Sequence, residues 1–172
     1  MRAESYFFGP LTRHGLVAAA LAALVDQAVK LWLLFGFHLG AHERIRLMPF
    51  LDLVLVWNTG ISYGWFQQSG PAGQWALLGV KVIAVALLWI WLARAGSRLA
   101  ALALGLIIGG AIGNAIDRLV HGAVVDFVLF HITTPTWTFN WYVFNLADAA
   151  IVAGVIGLLY DSVFIHDAVK AP

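Results

Sequence analysis

The sequence predicts an all-α polytopic membrane protein, a single membrane-embedded domain over residues 1–172 with four transmembrane helices and a small extracytoplasmic β-sheet. Hydrophobic residues make up 62% of the chain and charged residues 11%, whereas soluble domains have roughly 25% charged residues. Four stretches approach the roughly 20 apolar residues that a helix needs to cross a bilayer core. A shorter segment between the first two has the composition of a strand. Lipid is therefore the expected solvent for most of this surface.

The first two spans are apolar apart from isolated charges. The first, at about 16–34, is interrupted by Asp26 and Lys30. The second, at about 75–92, carries one charged residue, Lys81. We expect the long Lys81 side chain to reach the outer interface or to pair with an acid.

The last two spans carry amides and one acid. The third, at about 99–116, contains Asn114, and the fourth, at about 143–160, contains Asn145 and Asp148 near its start. Glycines recur every four residues in the third span and predict a groove for a neighbouring helix: Gly105, Gly109 and Gly113.

The outer segment between the first two spans, about 38–66, is too polar to cross a bilayer. The run Phe50–Trp57 is short, rich in branched and aromatic residues, and follows Pro49. This pattern predicts a strand in a small sheet, a cradle on the membrane surface. With Gly60 and Gly64 as flexible points, the segment is expected to close over a bound substrate.

The orientation follows from the basic residues, which are more frequent on the cytoplasmic side of membrane proteins. Five of them lie at the ends of the chain or beside the connection of the second and third spans: Arg2, Arg13, Arg94, Arg98 and Lys170. The opposite side has Arg44, Arg46 and Arg118. Both termini are therefore predicted to be cytoplasmic, with residues 35–74 and 117–142 on the other side.

The polar residues of the spans are predicted to meet at one depth. Asp26 and Lys30 share one face of the first helix. The end of the third span and the start of the fourth lie at the same outer level in an antiparallel bundle, and they contribute most of the remaining groups: Asn114, Asp117, Arg118, Asn145 and Asp148. Asp126 follows a short turn at 121–122. The sequence thus predicts a site of acids and amides near the outer leaflet.

Two carboxyl groups that share one proton can act as an acid and a base on the same bond. Spacing alone favours Asp117 as the partner of Asp148, with Asp117–Arg118 as an alternative ion pair, and leaves enzyme, proton-coupled transporter and channel open.

The net charge of +1 gives no basic field for nucleic acid, and the chain has no cysteine. Without cysteine the chain has no thiolate ligand, and no metal is expected.

Five short motifs, in order from about residue 20 to 160, resemble the signature boxes of bacterial lipoprotein signal peptidase, or signal peptidase II. They are Asp26-Gln-Ala-Val-Lys30, Asn58-Thr-Gly-Ile-Ser62, Gly109-Gly-Ala-Ile-Gly-Asn-Ala-Ile-Asp-Arg118, Val124-Val-Asp-Phe127 and Phe144-Asn-Leu-Ala-Asp148. Each box is weak alone, whereas five in series on a four-span chain are specific. The continuation at 61–64 and the stretch 131–139 depart from the family pattern.

The resemblance implies a fold and a reaction. Family members have four transmembrane helices, a periplasmic β-sheet cradle and a short periplasmic helix. They are aspartic endopeptidases of the inner membrane that cleave diacylglyceryl-modified prolipoproteins on the N-terminal side of the lipidated cysteine. They need no cofactor or metal and are inhibited by globomycin. The expected partners are therefore prolipoproteins and membrane lipids, and we expect a monomer.

The resemblance also implies the site. The family's catalytic dyad corresponds to Asp126 and Asp148, with Asp117 as the fallback for the first of them. The expected supporting or substrate-binding residues are Asp26, Lys30, Asn58, Gly60, Asn114, Asp117, Arg118 and Asn145.

Two other functions remain as alternatives. A small proton- or ion-coupled transporter would also use intramembrane acids, but it favours inverted repeats and sites at mid-depth, and neither pattern is visible in this sequence. A structural membrane subunit leaves the convergence of acids and amides unexplained.

Overall fold

The computed structural model describes residues 7–60 and 71–165. Its elements in chain order are α1 (Thr12–Leu31), β1 (Ile45–Met48), β2 (Leu51–Asn58), α2 (Pro71–Ala93), α3 (Arg98–His121), β3 (Val124–Thr133), β4 (Thr138–Phe144) and α4 (Leu146–Tyr160). Single π-helical turns extend α1 through Trp32–Gly36 and α4 through Asp161–Ile165.

Four helices of the described chain are long and apolar enough to cross a membrane, as the sequence predicts: Thr12–Gly36, Trp75–Ala93, Arg98–His121 and Leu146–Phe164. Large apolar side chains remain exposed on their outer faces, among them Leu24, Val80, Ile83, Leu87, Ile156 and Leu159. This distribution is that of a multi-pass membrane protein, because lipid covers such faces.

The fourth helix begins later than the predicted start at residue 143. Val143 and Phe144 belong to β4, where aromatic and branched residues favour a strand. Helix α4 begins at Leu146 because Asn145 caps it. The Asn145 side chain accepts a hydrogen bond from the Asp148 backbone N–H, and the Asp148 side chain accepts one from the Asn145 backbone N–H.

Helix α3 is the centre of the bundle and contacts the three other helices. The predicted glycine groove is confirmed, and α1 fills it. A Cβ atom at Gly105 would lie 2.9 Å from Ala18 Cβ, and one at Gly109 would lie 2.8 Å from Ala22 Cβ. Larger residues at these positions would push α1 away from α3.

The four strands form one antiparallel sheet in the order β1-β2-β3-β4. The strand predicted at Phe50–Trp57 is confirmed as β2, while β3 and β4 enlarge the sheet beyond the predicted segment 38–66. Strands β3 and β4 connect the end of α3 to the start of α4, so the sheet joins the bundle at that end.

Part of the predicted outer segment lies outside the described residues. Residues 61–66, including Gly64, belong to that part. In the described stretch from residue 37 to residue 60, the helical element is a 3-10 turn at Leu39–Ala41. The short extra helix and the closing motion of the segment therefore remain predictions.

A buried apolar cluster attaches the sheet to the helices. Leu33, Leu39 and Phe127 form its centre, and Leu146 packs against it. Phe127 is adjacent to Asp126, and Leu146 is two residues from Asp148. The cluster therefore holds β3 and α4 together beside the two acids of the predicted dyad.

Candidate active site

A pocket opens where α3 ends, α4 begins and the sheet joins the bundle. Its volume is about 160 Å³. It is lined by Asn58, Gly60, Lys81, Asn114, Arg118, Val124, Asp126, Tyr142, Val143, Asp148 and Ile151. Both acids that the family resemblance selects therefore face one small cavity.

Asp126 lies on β3 and is 2% exposed. Its carboxylate accepts hydrogen bonds from Asn58 Nδ2 at 3.0 Å and from Asn145 Nδ2 at 2.6 Å. Strand pairing explains the first contact, because Asn58 is opposite Val124 and β2 runs beside β3. Burial, and to a lesser extent the charge of Asp148, raises the pKa of Asp126 to about 7, although the two amide hydrogen bonds lower it.

Asp148 lies in the first turn of α4 and is half-buried. Its Oδ1 accepts a hydrogen bond from Asn114 Nδ2 at 2.9 Å, and its Oδ2 accepts one from the Asn145 backbone N–H at 3.3 Å. The positive end of the helix dipole favours a negative charge at this position. The capping box thus orients the carboxylate as well as starting the helix.

Two asparagines connect the acids. Asn145 Nδ2 faces Asp126 Oδ1 at 2.6 Å and Asn114 Oδ1 at 3.0 Å. Asn114 then donates to Asp148 from its own Nδ2. A continuous row of hydrogen bonds therefore runs from Asp126 through both amides to Asp148.

Lys30 is the centre of a second group of polar side chains, which is fully buried and contacts this row at Asn114. Its Nζ lies 2.7 Å from Asp26 Oδ2, 2.8 Å from Asp117 Oδ2 and 3.2 Å from Asn114 Oδ1. Asp26 also accepts a hydrogen bond from the Ala147 backbone N–H at 2.9 Å, which ties α1 to the start of α4. The predicted Asp26–Lys30 pair thus forms and also supports Asn114.

Asp117 has a supporting position. Besides Lys30, it accepts hydrogen bonds from Gln27 Nε2 at 2.8 Å and from the Val125 backbone N–H at 3.0 Å. It is not among the described residues that line the pocket. Asp117 therefore pairs with Lys30 across the bundle, and its part in the dyad stays a prediction.

Arg118 holds the end of β2 at the pocket. Its Nη2 donates a hydrogen bond to the Gly60 carbonyl, and the Gly60 N–H donates to Asn58 Oδ1 at 3.0 Å. Arg118 therefore acts on Asn58, and through it on Asp126, from the last turn of α3.

Three residues near the site were not included among the predicted site residues: Gln27, Lys81 and Tyr142. Gln27 could have been found from its position beside Asp26 on a helix face that must be buried. Lys81 could have been found as the single charge of its span. Tyr142 gave no signal, because strand β4 was not predicted.

Comparisons with known proteins agree with one another. Residues 18–164 match the family described as signal peptidase (SPase) II. The chain is 63% identical over 160 residues to a lipoprotein signal peptidase of Nitrobacter hamburgensis, covering 93% of this chain and 98% of that one. It is 58% identical to a lipoprotein signal peptidase of Rhodopseudomonas palustris, with the same coverage.

Solved structures share the fold. A bacterial membrane enzyme determined by the in meso method superposes with a TM-score of 0.70 at 24% identity, covering 87% of this chain and 89% of that one. A second one superposes with a TM-score of 0.67 at 22% identity, covering 93% and 98%.

Proposed function

Because this chain belongs to the signal peptidase II family, we propose that it is an aspartic endopeptidase that removes signal peptides from diacylglyceryl-modified prolipoproteins. The cleaved bond lies on the N-terminal side of the lipidated cysteine. The enzyme is an inner-membrane protein with cytoplasmic termini, acts as a monomer near the outer leaflet, and needs no cofactor.

The observation that carries this proposal is the shared pocket of Asp126 and Asp148. Both acids line it, and the row of amides through Asn145 and Asn114 joins them. Two acids in one low-dielectric pocket ionise together only at high cost, so they are expected to share one proton. A dyad with one proton can supply a base and an acid to the same peptide bond.

We assign the proton of the resting dyad mainly to Asp126. Burial raises the pKa of Asp126 to about 7, whereas Asp148 is only half-buried and lies at the positive end of α4. Asp148 is then the base that takes a proton from water. Asp126 donates its proton to the carbonyl oxygen as the water oxygen attacks the carbonyl carbon.

The amides fix this geometry without competing for the proton. Asn58 and Asn145 donate to Asp126, and Asn114 donates to Asp148. Lys30 contacts Asn114 Oδ1 and so holds that amide in the orientation that points its Nδ2 at Asp148. The buried group around Lys30 therefore positions the dyad through Asn114.

The decisive experiment compares purified variants in cleavage of a synthetic diacylglyceryl prolipoprotein. We expect Asp126→Asn and Asp148→Asn each to reduce turnover at least 1,000-fold, in the range found when a single catalytic group is removed, with the protein still folded in detergent. Asp161→Asn is the matched control. Asp161 is also a buried acid at an end of the fourth span, but it accepts its hydrogen bond from Ser97 at the far end of the bundle.

Asp117→Asn separates the two candidate partners of Asp148. It is expected to lower the melting temperature, because Lys30 loses a charged partner, while a measurable rate remains. Normal turnover in Asp126→Asn, together with complete loss in a folded Asp117→Asn protein, would reject the proposed dyad. Inhibition by globomycin is expected for the unaltered chain.

A further inference from the structure

Lys81 is the one charged residue of the second span, Trp75–Ala93. Its neighbours Val80, Val82 and Ile83 are 60% to 66% exposed and face outward. Lys81 itself is half-buried and lines the pocket. A charge at this depth of a bilayer is costly and is retained where it faces a polar cavity. The expectation that Lys81 reaches the outer interface or pairs with an acid stays a prediction, and the structure places Lys81 at the pocket of the two acids.

Lys81 is not part of the buried group around Lys30. Lys30 contacts Asp26, Asp117 and Asn114 directly. Within residues 7–60 and 71–165, Lys81 makes no hydrogen bond or ion pair of its own. Its ammonium therefore acts through the pocket, in which Asp148 and Asp126 are the acids.

The ionisable groups around the pocket come from every element packed there, and their charges can be counted. The cations are Lys30 on α1, Lys81 on α2 and Arg118 on α3. The carboxyls are Asp26 on α1, Asp117 on α3, Asp126 on β3 and Asp148 on α4, and the phenol of Tyr142 on β4 is neutral.

This count balances only if Lys81 is charged. With Asp26 and Asp117 ionised against Lys30 and one proton on the dyad, three negative charges face three positive ones. A neutral residue at position 81 then leaves one negative charge in excess. Unbalanced charge is expensive away from water. The second span thus contributes the cation that matches the single charge of the dyad.

We propose that Lys81 is a positioning residue for the dyad, whose ammonium stabilises the one negative charge shared by Asp126 and Asp148 and so sets the pH range of activity. The inference rests on the proposed function, since it assumes that these two acids work as a pair. Lys81 does not touch the reacting atoms. It acts on them through the field that it creates in the pocket.

The test is the pH profile of cleavage by Lys81→Met, which keeps an apolar stem and removes the charge. Without the cation, each ionisation of the dyad becomes harder. Both the acid and the alkaline limb are therefore expected to move to higher pH, by about one unit. Lys81→Arg keeps the charge and is expected to retain the limbs of the unaltered chain. Val82→Met, on the outward face of the same helix, is the matched control.

Two results would overturn the inference. One is a raised KM in Lys81→Met with both limbs unmoved, which would make Lys81 a substrate contact. The other is an unchanged profile with a lower melting temperature, which would make its role structural.

A second readout does not depend on turnover. The infrared carbonyl band of the protonated carboxyl, identified by its loss in Asp126→Asn, is expected to persist to higher pH in Lys81→Met. An unshifted band would contradict the inference. Failure of the unaltered chain to cleave the lipidated substrate would contradict the proposed function alone, because the band still reports the field at the dyad.

Discussion

Asn145 shows how single residues of this site serve two purposes. Its Oδ1 accepts the Asp148 backbone N–H and starts α4, while its Nδ2 faces Asp126 and Asn114. Both functions need an amide whose oxygen faces the Asp148 backbone N–H and whose nitrogen faces Asp126. A carboxylate at position 145 would cap the helix equally well but would place a negative charge against Asp126. The helix and the proposed dyad thus both favour asparagine at position 145.

The raised pKa of Asp126 predicts a pH-dependent cost to stability. Its pKa rises from 3.8 to about 7 on folding, so the folded state resists ionisation. The cost is absent below pH 3.8, grows as the pH rises, and levels off above about 7, at up to about 4 kcal/mol. We expect the melting temperature of the unaltered chain to fall from about pH 5 to about pH 8, and that of Asp126→Asn to fall less.

This prediction is checked by thermal unfolding in detergent across that range. Asp161→Asn is the control and should keep the slope of the unaltered chain, because Asp126 is still present. Equal slopes in all three proteins would mean that Asp126 ionises normally in the folded state.

For single residues, spacing selected Asp148 as one member of the predicted dyad but did not decide its partner. Asp117 has helical spacing from Asn114 and looked suitable, whereas Asp126 looked like a loop residue. Asp117 pairs with Lys30, which is 87 positions away in the chain, and this contact favours Asp126 as the partner. Spacing within one helix carries no information on such a contact, and the motif resemblance supplied what spacing lacked.

Among the elements, the helices were predictable and most of the sheet was not. Long apolar runs identify spans reliably, and Pro49 with the branched residues after it identified β2. Strand β3 is buried over most of its length and is mostly apolar on both faces, so it lacks the alternation that marks a strand at a surface. Strand β4 continues directly into α4, and its apolar end was assigned to the span.

The sheet contains a charged group that stabilises it independently of the pocket. Asp52 on β2 is fully buried, accepts a hydrogen bond from Arg44, and lies 3.2 Å from His131 Nε2 on β3. Burial favours the neutral acid, but the hydrogen bond from Arg44 and the close contact with His131 prevail and lower the pKa of Asp52 below 3.8. The carboxylate therefore links the loop before β1 to both central strands.

We expect Asp52→Asn to destabilise the protein by about 1–3 kcal/mol at neutral pH, because the charge-assisted hydrogen bonds are lost. Because the pKa of Asp52 is lower in the folded than in the unfolded state, the stabilisation is complete above pH 3.8. It is lost as the pH falls through the folded-state pKa of Asp52. The melting temperatures of the two proteins should therefore converge in acid. Glu43→Gln, at an exposed neighbouring position, is the control. A difference that persists unchanged at low pH would contradict this account.

In the whole molecule, the acids and amides of the pocket gather at one end of an apolar bundle. The outer faces of the helices expose large apolar side chains, and the charged groups of the pocket lie where α3 ends and α4 begins. A lipid-modified substrate anchored in the bilayer would meet the site at that end. The orientation of the bundle therefore decides which compartment supplies the substrate.

The positive-inside rule predicts that the pocket end faces away from the cytoplasm. Arg94 and Arg98 flank the connection at the other end, whereas on the pocket side Arg44 and Arg118 are engaged with Asp52 and Gly60. Because the chain has no cysteine, a thiol reagent would label only a cysteine that is introduced. Gly96 is exposed and has open space around a Cβ atom, and Thr136 is exposed between β3 and β4.

We expect a membrane-impermeant thiol reagent to label Thr136→Cys in spheroplasts and to label Gly96→Cys only after lysis. The unaltered chain is the control and should stay unlabelled. The reverse pattern would place the pocket in the cytoplasm, where a signal peptide that has already crossed the membrane could not reach it. Labelling of both positions before lysis would show that the connection between α2 and α3 is not cytoplasmic, and the proposed four-span orientation would then be wrong.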